Sequence, residues 1–274
     1  MNRRPVRPTL ASPMPNAEAS QPQGPAPTIR RPVPGSPASD DAVQPCRPIL
    51  RPPMAILELL DDGSDRGEEI RVRADAVTIG RLNADIKIPH DAQISGCHVR
   101  LTRQPLNGEF QWVLADLAST NGTFLRVSKA VLQPTTPFII GSHRYAFRPA
   151  AAAAAAERSS EAAAGTKGWQ APSADEIQRQ LPAIVRIVAD GAGQVFPIQG
   201  PEIAIGSDPA LTSITITDDP TVNGLHGHIR MTEKGRVIED NKSLNGLWIA
   251  ISERRLTSNA TFQIGEQRIR FRVL

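Results

Sequence analysis

The chain of 274 residues repeats itself once at long range, and both repeats are written in short β-strand texture. Ala76-Val77-Thr78-Ile79-Gly80 is answered by Glu202-Ile203-Ala204-Ile205-Gly206, and Phe138-Ile139-Ile140-Gly141 by Phe262-Gln263-Ile264-Gly265. Between them, Asp116-Leu117-Ala118-Ser119-Thr120-Asn121-Gly122-Thr123 is answered by Asp240-Asn241-Lys242-Ser243-Leu244-Asn245-Gly246-Leu247. The offsets agree, 206 − 80 = 126 and 245 − 121 = 124. A period this long is a duplicated domain and not a solenoid, whose units run to roughly 20–50 residues.

Within each repeat, apolar runs of about three to six residues alternate with turn residues. Ala55 to Leu60 is followed by Asp61-Asp62-Gly63, and further runs are Val77-Thr78-Ile79, Ile86-Lys87-Ile88, Cys97 to Leu101, Phe110 to Leu114, Phe138 to Ile140 and Tyr145 to Phe147. The same texture resumes with Ala183 to Val188. Many short strands at this spacing predict an all-β fold of two sandwiches.

The rest of the chain is of another kind. Residues 1–53 hold 14 of the 25 prolines and few bulky apolar groups, which predicts a disordered tail with polyproline tendency. That tail carries seven Arg against Glu18, Asp40 and Asp41, a balance of +4, so the net charge of +3 leaves −1 for everything else. The ordered portion shows no basic run with interleaved aromatics, and nucleic acid is not expected as a ligand. Residues 150–182 open on an alanine run, Ala150 to Ala156, and read as a partly helical linker, with Ser173-Ala174-Asp175-Glu176 at capping-box spacing. The expected division is therefore a tail 1–53, a sandwich 54–149, a linker 150–182 and a sandwich 183–274.

Two cysteines, Cys46 and Cys97, do not make a disulfide framework and suit a reducing compartment. With no secretory h-region and no run near the roughly 20 apolar residues of a membrane span, the expectation is a cytoplasmic protein without membrane insertion.

The first repeat places polar residues where its apolar runs end: Gly80-Arg81, Ser95 with His98, and Ser119-Thr120-Asn121-Gly122. A phosphothreonine carries roughly −1.5 to −2 charge at pH 7 and three strong acceptor oxygens. Arg81 offers a planar fork of donors, Ser95 a hydroxyl, and Asn121 an amide that both donates and accepts. Singly, each has a plainer reading: a surface arginine, a turn-capping serine, a core histidine, an Asn-Gly hairpin turn. Their co-occurrence is what points to a phosphate.

These residues, with Ile88-Pro89 and Ile94, resemble the forkhead-associated (FHA) domain family over roughly residues 54–149. The resemblance implies an eleven-stranded β-sandwich that binds phosphothreonine peptides through loops at one end. It implies that Arg81 and Ser95 contact the phosphate, that Thr120 and Asn121 contact the peptide, and that Gly80, His98 and Gly122 support the loops. It departs from the family in one respect, Gly96 standing where Asn or Arg often follows the serine.

The second repeat reads as a degenerate copy. Ser207 follows Gly206 where Arg81 follows Gly80, and Leu244 stands for Thr120. Around Gly224 to His228 the register is open: taking His228 for His98 puts Leu225 at the Ser95 position, and taking His226 puts Asn223 there. A phosphate-independent contact or packing role is expected for this half.

The expected function is a phosphothreonine-peptide-binding adaptor. Its partner would be a threonine-phosphorylated protein, a Ser/Thr kinase or its substrate, with no cofactor and no metal. The alternative is a phosphate-independent structural adaptor in a multiprotein assembly of the secretion or signalling kind. Ser95, His98 and Asp116 can be drawn as a triad, but no nucleophile elbow, glycine-rich phosphate loop or zinc motif accompanies them, so no catalytic residue is assigned.

Overall fold

The computed structural model describes residues 55–60, 64, 66–150, 173, 180–189, 191–256 and 259–274. The expectations for the Pro-rich tail and for the helical linker fall outside these residues, apart from a few linker positions.

Regular structure in the described residues is β-strand almost throughout, in twenty strands. The first repeat gives β1 (Ala55–Leu60), β2 (Gly67–Val72), β3 (Ala76–Gly80), β4 (Ile86–Lys87), β5 (Val99–Leu106), β6 (Glu109–Asp116), β7 (Thr123–Val127), β8 (Lys129–Val131), β9 (Phe138–Ile140) and β10 (His143–Arg148). The second gives β11 (Ala183–Val188), β12 (Gly191–Pro197), β13 (Glu202–Gly206), β14 (Ile214–Thr215), β15 (Gly227–Thr232), β16 (Gly235–Asp240), β17 (Leu247–Ile251), β18 (Glu253–Leu256), β19 (Ala260–Ile264) and β20 (Gln267–Val273). The Asn-Gly hairpin turn of the first repeat is Asn107-Gly108, both at positive φ, between β5 and β6. Asn121-Gly122 instead sits in the loop that carries the chain from one sheet to the other.

The strands do not close within their own repeats. One sheet has ten strands in the order β12-β11-β10-β9-β17-β7-β19-β20-β1-β2, and two five-stranded sheets pack beneath it, β4-β3-β5-β6-β18 and β14-β13-β15-β16-β8. The first sandwich is thus β1 to β7 completed by β18, β19 and β20, and the second is β11 to β17 completed by β8, β9 and β10. The two join at the centre of the ten-stranded sheet, the antiparallel pair β7 and β17, with Leu125 opposite Ile249. The expected boundaries, one self-contained sandwich in 54–149 and another in 183–274, are corrected accordingly: each repeat lends its last three strands to the other.

The cause is local. Only Ser128 separates β7 from β8, and only Ser252 separates β17 from β18. A tight hairpin needs at least two loop residues, usually with Gly or Asn at positive φ, and neither Val127-Ser128-Lys129 nor Ile251-Ser252-Glu253 offers them. The chain runs straight on, β8 pairs with β16 and β18 with β6, and the following hairpins are carried across with them.

Both cores record the exchange. The first gathers Leu57, Ile79, Val99, Leu101 and Leu114 with Leu256, Phe262, Ile264, Ile269 and Phe271 from the far end of the chain. The second gathers Ile184, Ile205, Ile229 and Leu247 with Leu132, Phe138, Ile140 and Tyr145. At about 1.5–3 kcal/mol for each large apolar side chain taken out of water, the five lent to the first core are comparable to a domain's whole net stability.

Candidate functional site

The loops after β3, before β5 and between β6 and β7 meet at one end of the first sandwich. Strand β3 can approach the loop before β5 this closely because residue 80 is glycine: a Cβ there would lie 2.5 Å from Gly96 O and 2.8 Å from Cys97 Cα. The contact is sealed by Arg81 N donating to Ser95 O at 2.9 Å and Leu82 N to Gly96 O at 3.2 Å. On the far side of Arg81, the Asp85 carboxylate takes the backbone N–H and hydroxyl of Thr78 at 2.8 and 2.7 Å, and the hydroxyl bond first of all holds its pKa below the ordinary value.

His98 is fully buried beneath these loops. Its Nδ1 accepts from Ser95 N at 3.1 Å, which leaves the proton on Nε2, 3.2 Å from Gly122 O. One neutral ring therefore ties two loops together, and burial lowers its pKa against the pull of Gly122 O, Asp116 and Asp91. The drawn triad does not assemble, since Nδ1 faces the backbone of Ser95, and Ser95 Oγ accepts from Thr120 N at 3.0 Å.

Asp116 organises the third loop. Its carboxylate takes Ser119 N at 2.9 Å and the hydroxyls of Ser119 and Thr123, each at 2.6 Å. Burial pushes its pKa up, but the bonds from Ser119 and Thr123 outweigh burial and the net shift is downward. Ser119 Oγ in turn accepts from Gly122 N at 3.0 Å, where the chain turns at φ 77°. Asn121 Nδ2 donates to both Gln93 O and Gln93 Oε1 at 2.8 Å.

The structure thus brings together all seven residues to which the resemblance gave roles. Ser95, His98, Thr120 and Gly122 are linked by hydrogen bonds, Asn121 is tied to the same loop through Gln93, Gly80 makes the approach possible, and Arg81 stands beside Ser95 with its Nε buried and without a hydrogen-bond partner among the described residues. Thr120 is exposed at the rim. Asp91, Gln93 and Ser119 also belong to the frame; nothing in their spacing announced Asp91 or Gln93, whose partners lie 175 and 28 residues away.

The second sandwich repeats the frame without its donors. Asn223 N donates to His226 Nδ1 at 3.2 Å, His226 Nε2 faces Gly246 O at 3.2 Å, Leu244 N donates to Asn223 Oδ1 at 3.1 Å, and Asn245 Nδ2 donates to Thr221 O at 2.8 Å. This settles the open register: His226 is the counterpart of His98 and Asn223 of Ser95. Ser207 replaces Arg81 and turns its hydroxyl inward to Val222 O at 3.0 Å, Asp208 follows it, and Leu244 is 81% exposed. Burial lowers the pKa of His226 as it does that of His98.

Among the described residues no group of three His, Cys, Asp or Glu is placed to hold a metal ion, and no helix is long and apolar enough to cross a membrane.

Comparison with known proteins gives one family. No curated protein matches the chain. Among solved structures it is similar to one from a study of phosphothreonine-dependent FHA domain interactions, at 14% identity and a TM-score of 0.29, over 80% of this chain and 95% of the other. It is also similar to full-length yeast Pml1p, at 25% identity and a TM-score of 0.25, over 27% of this chain and 58% of that one. A third is Mycobacterium tuberculosis EmbR in complex with a low-affinity phosphopeptide, at 27% identity and a TM-score of 0.22, over 27% and 17%. The overlaps are loose, and the architecture above rests on the strand pairing itself. The stretch that reaches from β3 to the turn after β9 and contains Arg81, Ser95, His98 and Asn121, residues 77–141, matches the FHA domain family.

Proposed function

We propose that the loop end of the first sandwich binds a phosphothreonine peptide and that the protein is a non-enzymatic adaptor. The observation that carries the reading is the pairing of a cation with a held hydroxyl. Ser95 Oγ is fixed as an acceptor from Thr120 N, so its own O–H remains to be donated, and the backbone of Arg81, bonded to Ser95 O at 2.9 Å, sets a permanent cation beside it. Arg81 and Ser95 then take the phosphate oxygens. Thr120 and Asn121 meet the peptide main chain beside the phosphothreonine, and Gly80, His98 and Gly122 hold the loops. The FHA match over residues 77–141 supports the same assignment. The partner is a protein phosphorylated on threonine, a Ser/Thr kinase or a substrate of one.

Calorimetric titration of the full chain with phosphothreonine peptides and their unphosphorylated forms tests this. A charge-assisted bond is worth about 1.5–3 kcal/mol, so Arg81→Ala is expected to weaken binding roughly ten- to a hundredfold. Equal affinity for both peptide forms, or an unchanged Arg81→Ala, sinks the proposal.

The second loop end favours a phosphate-independent role for its own half: its frame is complete, its cation is gone, and Leu244 is presented to solvent. If this half carries the whole function, partners captured by the full chain survive both phosphatase treatment and Arg81→Ala.

A further inference from the structure

We infer that the binding loops of the first sandwich are set by the C-terminal hairpin β19–β20, so that the second repeat supplies positioning residues for the first repeat's site. This rests on the function proposed above and adds residues to it that lie outside the matched stretch 77–141.

The contact is a relay of hydrogen bonds. In the turn of that hairpin, Glu266 N donates to Asp91 Oδ2 at 2.7 Å. The other carboxylate oxygen, Asp91 Oδ1, accepts from Gln93 N at 2.8 Å. Gln93 O then accepts from Asn121 Nδ2 at 2.8 Å. Three bonds lead from residue 266 to the amide assigned to the peptide, and Asp91 is only 8% exposed, so its carboxylate is held on both sides. The turn presses close: Gly265 sits at φ 57°, and a Cβ on it would lie 2.5 Å from Asp91 Oδ2 and 2.8 Å from Ile94 Cγ1. Ile94 directly precedes Ser95, so both the phosphate side and the peptide side of the site lean on this turn.

The second sandwich carries the mirror of the device. Ser142 N, in the turn of β9–β10, donates to Asp219 Oδ2 at 2.7 Å, Asp219 Oδ1 accepts from Thr221 N at 2.9 Å, and Thr221 O accepts from Asn245 Nδ2 at 2.8 Å. Gly141, at φ 65°, would place a Cβ 2.4 Å from Asp219 Oδ2. The repeats therefore contain two chemically matched perturbations, Gly265→Ala and Gly141→Ala, that strain matched turns against matched aspartates. Only the first lies under the proposed phosphate site.

That match separates positioning from stability. In the full chain, Gly265→Ala and Gly141→Ala are expected to lower the melting temperature by similar amounts. Well below melting, Gly265→Ala is expected to bind phosphothreonine peptide about tenfold more weakly than the wild type, and Gly141→Ala to bind like it. Asp91→Asn and Asp219→Asn form a milder pair should the glycine variants fail to fold. Amide shifts of Gln93, Ser95, Thr120 and Asn121 are read in the same samples without peptide, and are expected to move in Gly265→Ala and stay in Gly141→Ala. Shifts that stay in Gly265→Ala, affinities that do not change, or affinities that fall equally in both members of a pair overturn the inference. A wild type that ignores the phosphate overturns the proposed function instead, and the amide shifts still decide whether the hairpin sets the loops.

Discussion

The two loop ends of this molecule are built on one frame and differ in what the frame presents. Thr120 N to Ser95 Oγ is 3.0 Å and Leu244 N to Asn223 Oδ1 is 3.1 Å, and the two asparagine amides each donate at 2.8 Å to the backbone of the loop before β5 or β15. Yet one end sets out an arginine fork and two hydroxyls, and the other an aspartate and an exposed leucine. The residues that hold the loops are thus distinct from those the loops present, and the two ends share the first set and differ in the second.

The strongest way to break this comparison is to separate the halves. Fragment 54–149 lacks Leu256, Phe262, Ile264, Ile269 and Phe271, the part of its core lent by the other repeat. It is expected to recover a cooperative melting transition only as a dimer, each copy giving β8 to β10 to the other, which light scattering and circular dichroism check together. A stable monomer would show that the exchange is a choice of the full chain and not a demand of β7–Ser128–β8.

Next in size are the close approaches. Gly80→Ala would place a Cβ 2.5 Å from Gly96 O, and Gly206→Ala one 2.1 Å from Gly224 O, backbone oxygens with little freedom to yield. Each is expected to destabilise by roughly 2–4 kcal/mol in denaturant titration, with Gly206→Ala the worse. A reversed order would mean that the frames are less alike than their hydrogen bonds.

A gain of function sharpens the comparison further. Ser207→Arg with Asn223→Ser and Leu244→Thr restores the missing groups on the retained frame and is expected to give the second end measurable phosphothreonine affinity. Asp208 keeps it about tenfold or more below the first end, an effect read by titration in an Arg81→Ala background.

Acid should loosen both ends together. The folded pKa of His98 and of His226 lies below the ordinary imidazole value near 6.5. In acid the unfolded chain binds protons that the folded chain refuses. The stability these rings contribute is therefore fully present above about pH 6.5 and is lost as the pH falls below it. The melting temperature without peptide is expected to drop between about pH 7.5 and 5.5, and to drop less in His98→Gln/His226→Gln. The smallest effect is Leu244→Ser, which at 81% exposure is expected to change stability by less than about 0.5 kcal/mol while removing any partner held by that apolar tip.

Much of the site was legible in the sequence because most of its parts lie where strands end: Gly80-Arg81, His98 and Asn121-Gly122 each close or open a strand, and Ser95 stands in the loop just before His98, where a polar residue is conspicuous. Asp91 and Gln93 were not. Asp91 takes the backbone N–H of residue 266 and Gln93 offers its own backbone carbonyl to the Asn121 amide, and a backbone group leaves no mark on the amino acid that carries it. The register around His226 stayed open for a related reason, since two histidines two residues apart fit the spacing equally well. Burial distinguishes them: His226 is 1% exposed, while His228 lies half-buried with its Nδ1 4.0 Å from Glu202 Oε1.

By itself the sequence determined that this chain forms strands, that it does so twice, and that one loop end bears a cation the other lacks. All of these are local properties of residue type and order. Which hairpin closes which sandwich was decided only by tertiary structure. Phe138-Ile139-Ile140-Gly141 and Phe262-Gln263-Ile264-Gly265 bury the same kind of face, so either core accepts either hairpin on hydrophobic grounds. The one-residue joins at Ser128 and Ser252, too short to reverse the chain, send each to the opposite side.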